Sequence, residues 1–174
     1  GAHRHDNEQD NVGQVRVFQW SGSEWAQLGS DIYGEGTNDE LGYALSLSAD
    51  GTVLAVGAHL NDGTAADAGH ARVYSWNGES WIQLGSDLDG YATNDWYGVD
   101  VDLSNDGTIL AVGARNGGAN DGGYTDVFRW NGVDWEEIGQ RLMGQRGGGR
   151  FGQSISLSAN GAVIAIGAEF SSAM

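Results

Sequence analysis

The sequence predicts an all-β fold: four-stranded antiparallel sheets of the β-propeller-blade type, repeated about every 55 residues, with three repeats in the chain and no helix. Three observations predict it. Apolar residues alternate with period two or run together over short stretches, and Gly interrupts every window long enough for a helix. Asp-Gly and Asn-Gly dipeptides stand between these stretches, where turns are needed. The whole pattern then recurs: Trp20-Ser-Gly-Ser-Glu-Trp25 returns as Trp76-Asn-Gly-Glu-Ser-Trp81 and Trp130-Asn-Gly-Val-Asp-Trp135. A four-stranded unit of this length, repeated, is how a propeller blade is written in sequence.

The elements follow in order within one repeat. The first strand, Tyr43 to Ser48, alternates Tyr, Leu and Leu with Ala, Ser and Ser. The Asp50-Gly51 turn leads to a second strand, Val53 to Ala58, apolar throughout. The third strand runs from Ala71 to Trp76, and the fourth, Trp81 to Leu84, follows Asn77-Gly78. Third strands such as Val15 to Trp20 carry large side chains on both faces, which suits a sheet covered on both sides. The block Leu45 to Ala58 returns as Val101 to Ala114 and as Ile155 to Ala168, in registers of 56 and then 54 residues. The repeats span about 1–56, 57–112 and 113–166, with 167–174 a remnant of a fourth, all in one partial domain over 1–174.

Composition excludes several functions. The formal charge is −16, from 24 acids, 16 of them Asp, against eight Arg and no Lys. Such a surface repels phosphate and speaks against nucleic acid. The absence of Cys removes disulfides, thiol catalysis and thiolate-bound zinc. No apolar run approaches the roughly 20 residues of a membrane helix. No secretory signal is visible, and the first residue is Gly rather than Met, as in a processed or excised piece. Asp-rich, Lys-free composition suits a salty extracellular setting, where charge is screened over about 10 Å or less.

Phe151-Gly152, the Ser-Leu-Ser that follows and Gly167-Ala168 resemble the FG-GAP repeat of integrin α-subunit propellers. Tyr97-Gly98 to Gly113-Ala114 and Leu41-Gly42 to Gly57-Ala58 are variants of it. The wider pattern, with Trp-Asn-Gly-x-x-Trp and Gln-Leu-Gly-Ser-Asp, is similar to extracellular repeat proteins of marine bacteria and algae. The resemblance implies a β-propeller at the cell surface or outside the cell, serving binding or adhesion rather than catalysis. The chain departs from the family in two ways. His59, Arg115 and Glu169 stand where the family has Pro after Gly-Ala. The family's calcium loop between the first two strands is replaced by Asp50-Gly51, Asp106-Gly107 and Asn160-Gly161.

The phase of the repeat is offset, because Gly1-Ala2-His3 aligns with Gly57-Ala58-His59. The N-terminal segment therefore supplies third and fourth strands and the C-terminal segment first and second strands. Two readings follow: a piece of a larger propeller that completes the split blade, or self-association of two copies into a six-bladed ring.

Candidate sites lie on the rim, in the loops that join the fourth strand to the next first strand. Asp31, Glu35, Asp39, Asp87, Asp89 and Asp95 offer carboxylates in Gly-rich loops, a chemistry that suits Ca²⁺. The other reading is that Asp and Asn here cap turns and solvate the rim. The third such loop inverts the sign: Arg141, Arg146 and Arg150 occur with no acid among residues 140–150, and would meet an acidic loop of a neighbouring subunit or an anionic polysaccharide. Trp96, with Tyr97 and Tyr91, is the candidate sugar-stacking platform. Asp100 and Asp102 add two carboxylates to one face of a first strand, as a channel cation site or as solvated acids. The functional expectation is a non-enzymatic extracellular module for adhesion, interaction or assembly, assisted by Ca²⁺ at the rim. The alternative is a lectin-like, carbohydrate-binding propeller. A hydrolytic propeller has little support, because acids recur at equivalent repeat positions rather than forming a unique pair.

Overall fold

A computed structural model describes residues 1–6, 10–118, 121–145 and 147–169. They form sixteen strands and no α-helix, all in small antiparallel sheets. The N-terminal segment contributes β1 (Gln14–Val15), β2 (Phe18–Trp20), β3 (Trp25–Gln27) and β4 (Ile32–Tyr33). The first complete sheet contains β5 (Ala44–Leu47), β6 (Val53–Ala58), β7 (His70–Trp76), β8 (Trp81–Gln83) and β9 (Leu88–Asp89). The second contains β10 (Tyr97–Leu103), β11 (Ile109–Ala114), β12 (Tyr124–Trp130), β13 (Trp135–Glu137) and β14 (Leu142–Met143). A two-stranded sheet, β15 (Phe151–Leu157) with β16 (Ile164–Ala168), ends the described chain.

Each complete sheet runs first, second, third, fourth strand in spatial order, as the period-two pattern requires. Two details differ from expectation. The fourth strand is broken: β8 pairs with one end of β7 and β9 with the other, so Leu88 and Asp89 are strand residues rather than loop. The first turn is also longer than Asp50-Gly51. Gly51 N–H bonds the Ser48 carbonyl, which places Ala49 and Asp50 at its centre, and Gly51 follows with φ +71°. This is a type I turn closed by a left-handed glycine. Asp50 Oδ1 fixes it by accepting from Ser48 Oγ at 2.7 Å and from Thr52 N at 3.0 Å.

The sheets stack face to face. β5 and β6 pack on β10, and β10 and β11 pack on β15. The apolar second strand is explained by this sandwiching: every residue of β11 is buried. The core between the stacked sheets joins Ala55, Val73, Val101, Leu103, Leu110 and Val112 with Tyr97 and Tyr124. Each Leu or Val buried there stabilises the stack by about 1.5–3 kcal/mol. Glycine sets the approach distance. A Cβ on Gly57 would lie 1.9 Å from the Gly98 carbonyl oxygen, and one on Gly113 would lie 2.1 Å from that of Gly152. The Gly-Ala strand end of one repeat and the aromatic-Gly start of the next are therefore two sides of one contact.

Polar bonds fix the same stacking. Ser46 Oγ donates to Asp102 Oδ1 at 2.9 Å and accepts from Leu103 N at 3.0 Å. Asp100 and Asp102 accept from Ile155 N and Leu157 N of the following sheet at 2.6 and 2.7 Å. These two carboxylates thus staple the first strand of the second repeat, β10, to that of the third, β15. The Trp pairs pack between sheets: Trp81 Nε1 donates to the Leu28 carbonyl at 3.0 Å, and Trp135 Nε1 to that of Leu84 at 2.9 Å. At the two ends of the stack the faces are open. Phe18, Trp20, Trp25, Leu45 and Leu47 are exposed on one, and Val163 on the other.

Candidate functional site on the rim

The loop after each second strand and the loop after each fourth strand share one rim. Asn38 N–H bonds the Asp10 carbonyl, and Asn94 N–H bonds that of Ala66. Most of the candidate residues meet here.

The six proposed cation ligands divide by task. Asp39 accepts from Gly36 N at 2.7 Å and from Asn61 Nδ2 at 2.9 Å. Asp95, one repeat later, accepts from Ala92 N at 3.0 Å and from Tyr124 Oη at 2.9 Å. Both carboxylates close the same turn, as short polar side chains do in tight loops. Asp31 is held by Gln14, Arg16 and Gln27, and hydrogen bonds led by that from Gln27 lower its pKa. Asp87 accepts from Arg72 Nε at 2.7 Å and from Gln83 Nε2 at 2.7 Å, and the Arg72 guanidinium lowers its pKa. Asp89 lies in β9 opposite His70, where burial raises its pKa.

Only Glu35 and Asp87 of the six are brought together, with His70, their ligand atoms lying within 4.8 Å of one another. His70 is 2% exposed, and its Nε2 has no partner among the described residues. Burial, reinforced by the Arg72 guanidinium, lowers its pKa. One imidazole nitrogen and two carboxylates suit a borderline transition ion better than Ca²⁺, which prefers oxygen alone. The centre already contains a cation, because Arg72 Nη2 contacts both Glu35 and Asp87 at 2.5 Å.

The arginine-bearing loop resolves differently. Arg141 donates from Nε and Nη2 to the two oxygens of Asp126, at 2.8 and 2.9 Å. Its Cζ lies 3.9 Å from the centre of the Tyr124 ring and 4.2 Å from that of Tyr91. Arg141 is thus committed within the chain and joins the loop of one repeat to the third strand of the next. Arg150 pairs with Glu169 at 3.2 Å. Arg146 lies outside the described residues.

The proposed stacking platform is split. Tyr97 opens β10 and is 1% exposed, with burial raising its pKa, so its ring faces the core. Tyr91 is 61% exposed. Trp96 is half-buried and has left-handed backbone, φ +56°, as do Glu40 and Arg150 at the same repeat position. It belongs instead to a row of side chains that crosses the repeats. His3 meets Tyr43 at 5.3 Å between ring centres, Tyr43 meets His59 at 3.9 Å, and His59 meets Trp96 at 5.5 Å. Arg115 Cζ lies 4.2 Å above Trp96, and Arg115 Nη1 donates to Gln153 Oε1 at 2.6 Å. His59 Nδ1, Trp96 Nε1 and Arg115 Nε lack hydrogen-bond partners among the described residues. Burial, reinforced by the Arg115 guanidinium, lowers the His59 pKa to about 4.

Sequence reasoning left His59 and Arg115 out of the site. The signal was present, since both fill the position after Gly-Ala where repeats disagree most: His3, His59, Arg115 and Glu169. In comparisons with known proteins, no family model matches the chain and no curated protein matches it.

Proposed function

We propose that the chain is a run of FG-GAP-like β-propeller blades that works outside the cell as a non-enzymatic adhesion or interaction module. The observation that carries this reading is the contiguity of the repeat-breaking residues. His59, Trp96 and Arg115 occupy positions where the repeats differ, and they touch one another on a single rim. A scaffold that repeats its packing and individualises one rim offers a partner the partly exposed Trp96 and Arg115 there, with His59 buried beneath them at 4% exposure. Its acids support a structural use: Asp39 and Asp95 cap equivalent turns, and Asp31 and Asp87 hold equivalent arginines. Melting curves with and without chelator test whether calcium adds to rim order.

A lectin-like reading draws on Tyr91, exposed and backed by Arg141 at 4.2 Å, a surface fit for stacking a sugar ring. One experiment addresses both readings: binding to an array of neutral, sulfated and carboxylated glycans and to immobilised extracellular proteins. Protein binding lost in Trp96→Ala supports the first reading. Glycan binding lost in Tyr91→Ala supports the second. Turnover of any arrayed substrate would sink the non-enzymatic claim.

A further inference from the structure

Each third strand opens on a polar side chain, and the repeats satisfy that side chain differently. Gln14, which opens β1, donates from Nε2 to Asp31 Oδ2 at 2.6 Å and to Tyr33 Oη at 3.1 Å. Tyr124, which opens β12, donates from Oη to Asp95 Oδ2 at 2.9 Å. His70 opens β7 at the same repeat position, and its Nε2 is buried with no partner among the described residues. The register sets Tyr33 opposite Gln14 and Met143 opposite Tyr124, but a carboxylate, Asp89, opposite His70. The second repeat has thus exchanged a closed hydrogen-bond set for an imidazole among acids. A buried polar atom left unpaired costs stability unless something supplies its partner.

The surroundings favour a cation. A ring nitrogen of His70 and carboxylate oxygens of Glu35 and Asp87 lie within 4.8 Å of one another. Arg72 Nη2 stands between the two carboxylates at 2.5 Å from each, while its Nε holds the other Asp87 oxygen at 2.7 Å. Glu35, Asp87 and Asp89 outnumber this one guanidinium, so negative charge is left over. Zn²⁺ takes nitrogen and oxygen ligands at about 2.0–2.2 Å, which sets two ligands of a tetrahedral ion about 3.4 Å apart. The ligand atoms therefore need to close by about 1.4 Å or less. Glu35, its side chain 58% exposed, is free to make that movement and opens the path from solvent.

We propose that Glu35, His70 and Asp87 bind a divalent transition-metal ion of the Zn²⁺ class, which takes the place of Arg72 Nη2 between the two carboxylates. The imidazole selects the ion: carboxylates alone suit Ca²⁺, whereas imidazole with carboxylates suits Zn²⁺ and its neighbours in the first transition row. Water or the Asp89 carboxylate completes a set of four. Arg72 keeps Asp87 Oδ1 through Nε and orients that ligand, as the outer partners of metal ligands do. Glu35 lies in the loop after β4, and His70 and Asp87 belong to the next repeat. The ion therefore clamps the rim loop of one repeat to the sheet of its neighbour.

The site shares no residue with His59, Trp96 and Arg115, so it fails or stands apart from the adhesion reading. Equilibrium dialysis of the full chain against Zn²⁺ is expected to load one ion per chain, and the ion should raise the melting temperature. His70→Gln installs the residue that the first repeat carries at this place, and Glu35→Gln changes an exposed side chain. Both variants should keep the far-ultraviolet spectrum, weaken Zn²⁺ binding at least about 10-fold and lose the rise in melting temperature. Ca²⁺ at equal concentration should leave the bound zinc in place. Replacing both His3 and His5 by Gln, partly exposed near the N-terminus, should leave binding unchanged. The proposal is overturned by a chain that takes up no Zn²⁺, by unchanged affinity in either His70→Gln or Glu35→Gln, by displacement with equal Ca²⁺, or by binding that disappears with His3 and His5.

Discussion

Arg141 and Asp126 hold one another in reverse of the repeat before them. Arg72 on the third strand pairs with Asp87 beyond the fourth, whereas Asp126 occupies the third-strand place and Arg141 the outer one. Arg16 and Asp31 follow the first polarity. The local sign inversion of the third rim loop is thus one half of an exchanged pair, and its other half is a carboxylate with no exposure at all.

Removing Arg141 should therefore cost more than a surface ion pair. Arg141→Ala leaves Asp126 buried and unpaired, with an expected loss of about 3–5 kcal/mol in urea unfolding. The exchange Asp126→Arg with Arg141→Asp, which restores the polarity of the other repeats, should recover most of it. A double variant no more stable than Arg141→Ala would show that the pair's orientation is fixed by its aromatic neighbours.

Acid should act through His59. Its folded pKa of about 4 lies below the ordinary 6.5, so the unfolded chain takes up the proton first as pH falls. The stability from keeping this ring neutral is fully present above pH 6.5 and is lost between 6.5 and 4, on the order of 2–3 kcal/mol. The groups facing the ring are Tyr43, Trp96, Arg115, His3 and Arg4. His59→Gln should flatten the difference in melting temperature between pH 7 and pH 4.5. An unchanged pH slope would remove His59 from this role.

Two glycines should behave differently on conversion to alanine. Gly78 has φ +99° and open space around it, so Gly78→Ala should cost about 1 kcal/mol of backbone strain. At Gly57 the added methyl would lie 1.9 Å from the backbone oxygen of Gly98, so the two sheets must part. Thermal melts should rank Gly57→Ala well below Gly78→Ala, with loss of the folded state at physiological temperature as the expected limit.

Asp102 offers a measure of the polar staples. Asp102→Ala strands Leu157 N–H and removes the partner of Ser46 Oγ, for an expected loss of about 1–3 kcal/mol. Hydrogen exchange should quicken at Leu157 more than at Leu110, whose bonds lie within its own sheet.

Much of the fold was legible because period and turn chemistry are local. The Trp-to-Trp spacing, the apolar second strand and the Gly-Ala end each mark one element of each repeat. The broken fourth strand was not legible, since Leu88-Asp89 is too short to carry a period and reads as loop. The site was less legible than the fold. Arg16, Arg72 and Asp126 vary against Asp31, Asp87 and Arg141 in the sequence itself, yet only pairing across a sheet edge shows the exchange. Trp96 and Tyr97 are adjacent in sequence, but left-handed backbone at Trp96 sends one to the rim and the other to the core.

The break between β8 and β9, repeated between β13 and β14, has a consequence for how the chain behaves in a crowded solution. An outermost strand normally offers an unbroken row of amide and carbonyl groups on which a foreign chain can nucleate. Here that row is cut into pieces of three and two residues, with Gln83 Nε2 turned back onto the Gly85 carbonyl and Asp87 in the gap. Among the described residues, the outer wall of the two complete sheets keeps no unbroken strand longer than three residues on which lateral growth could start.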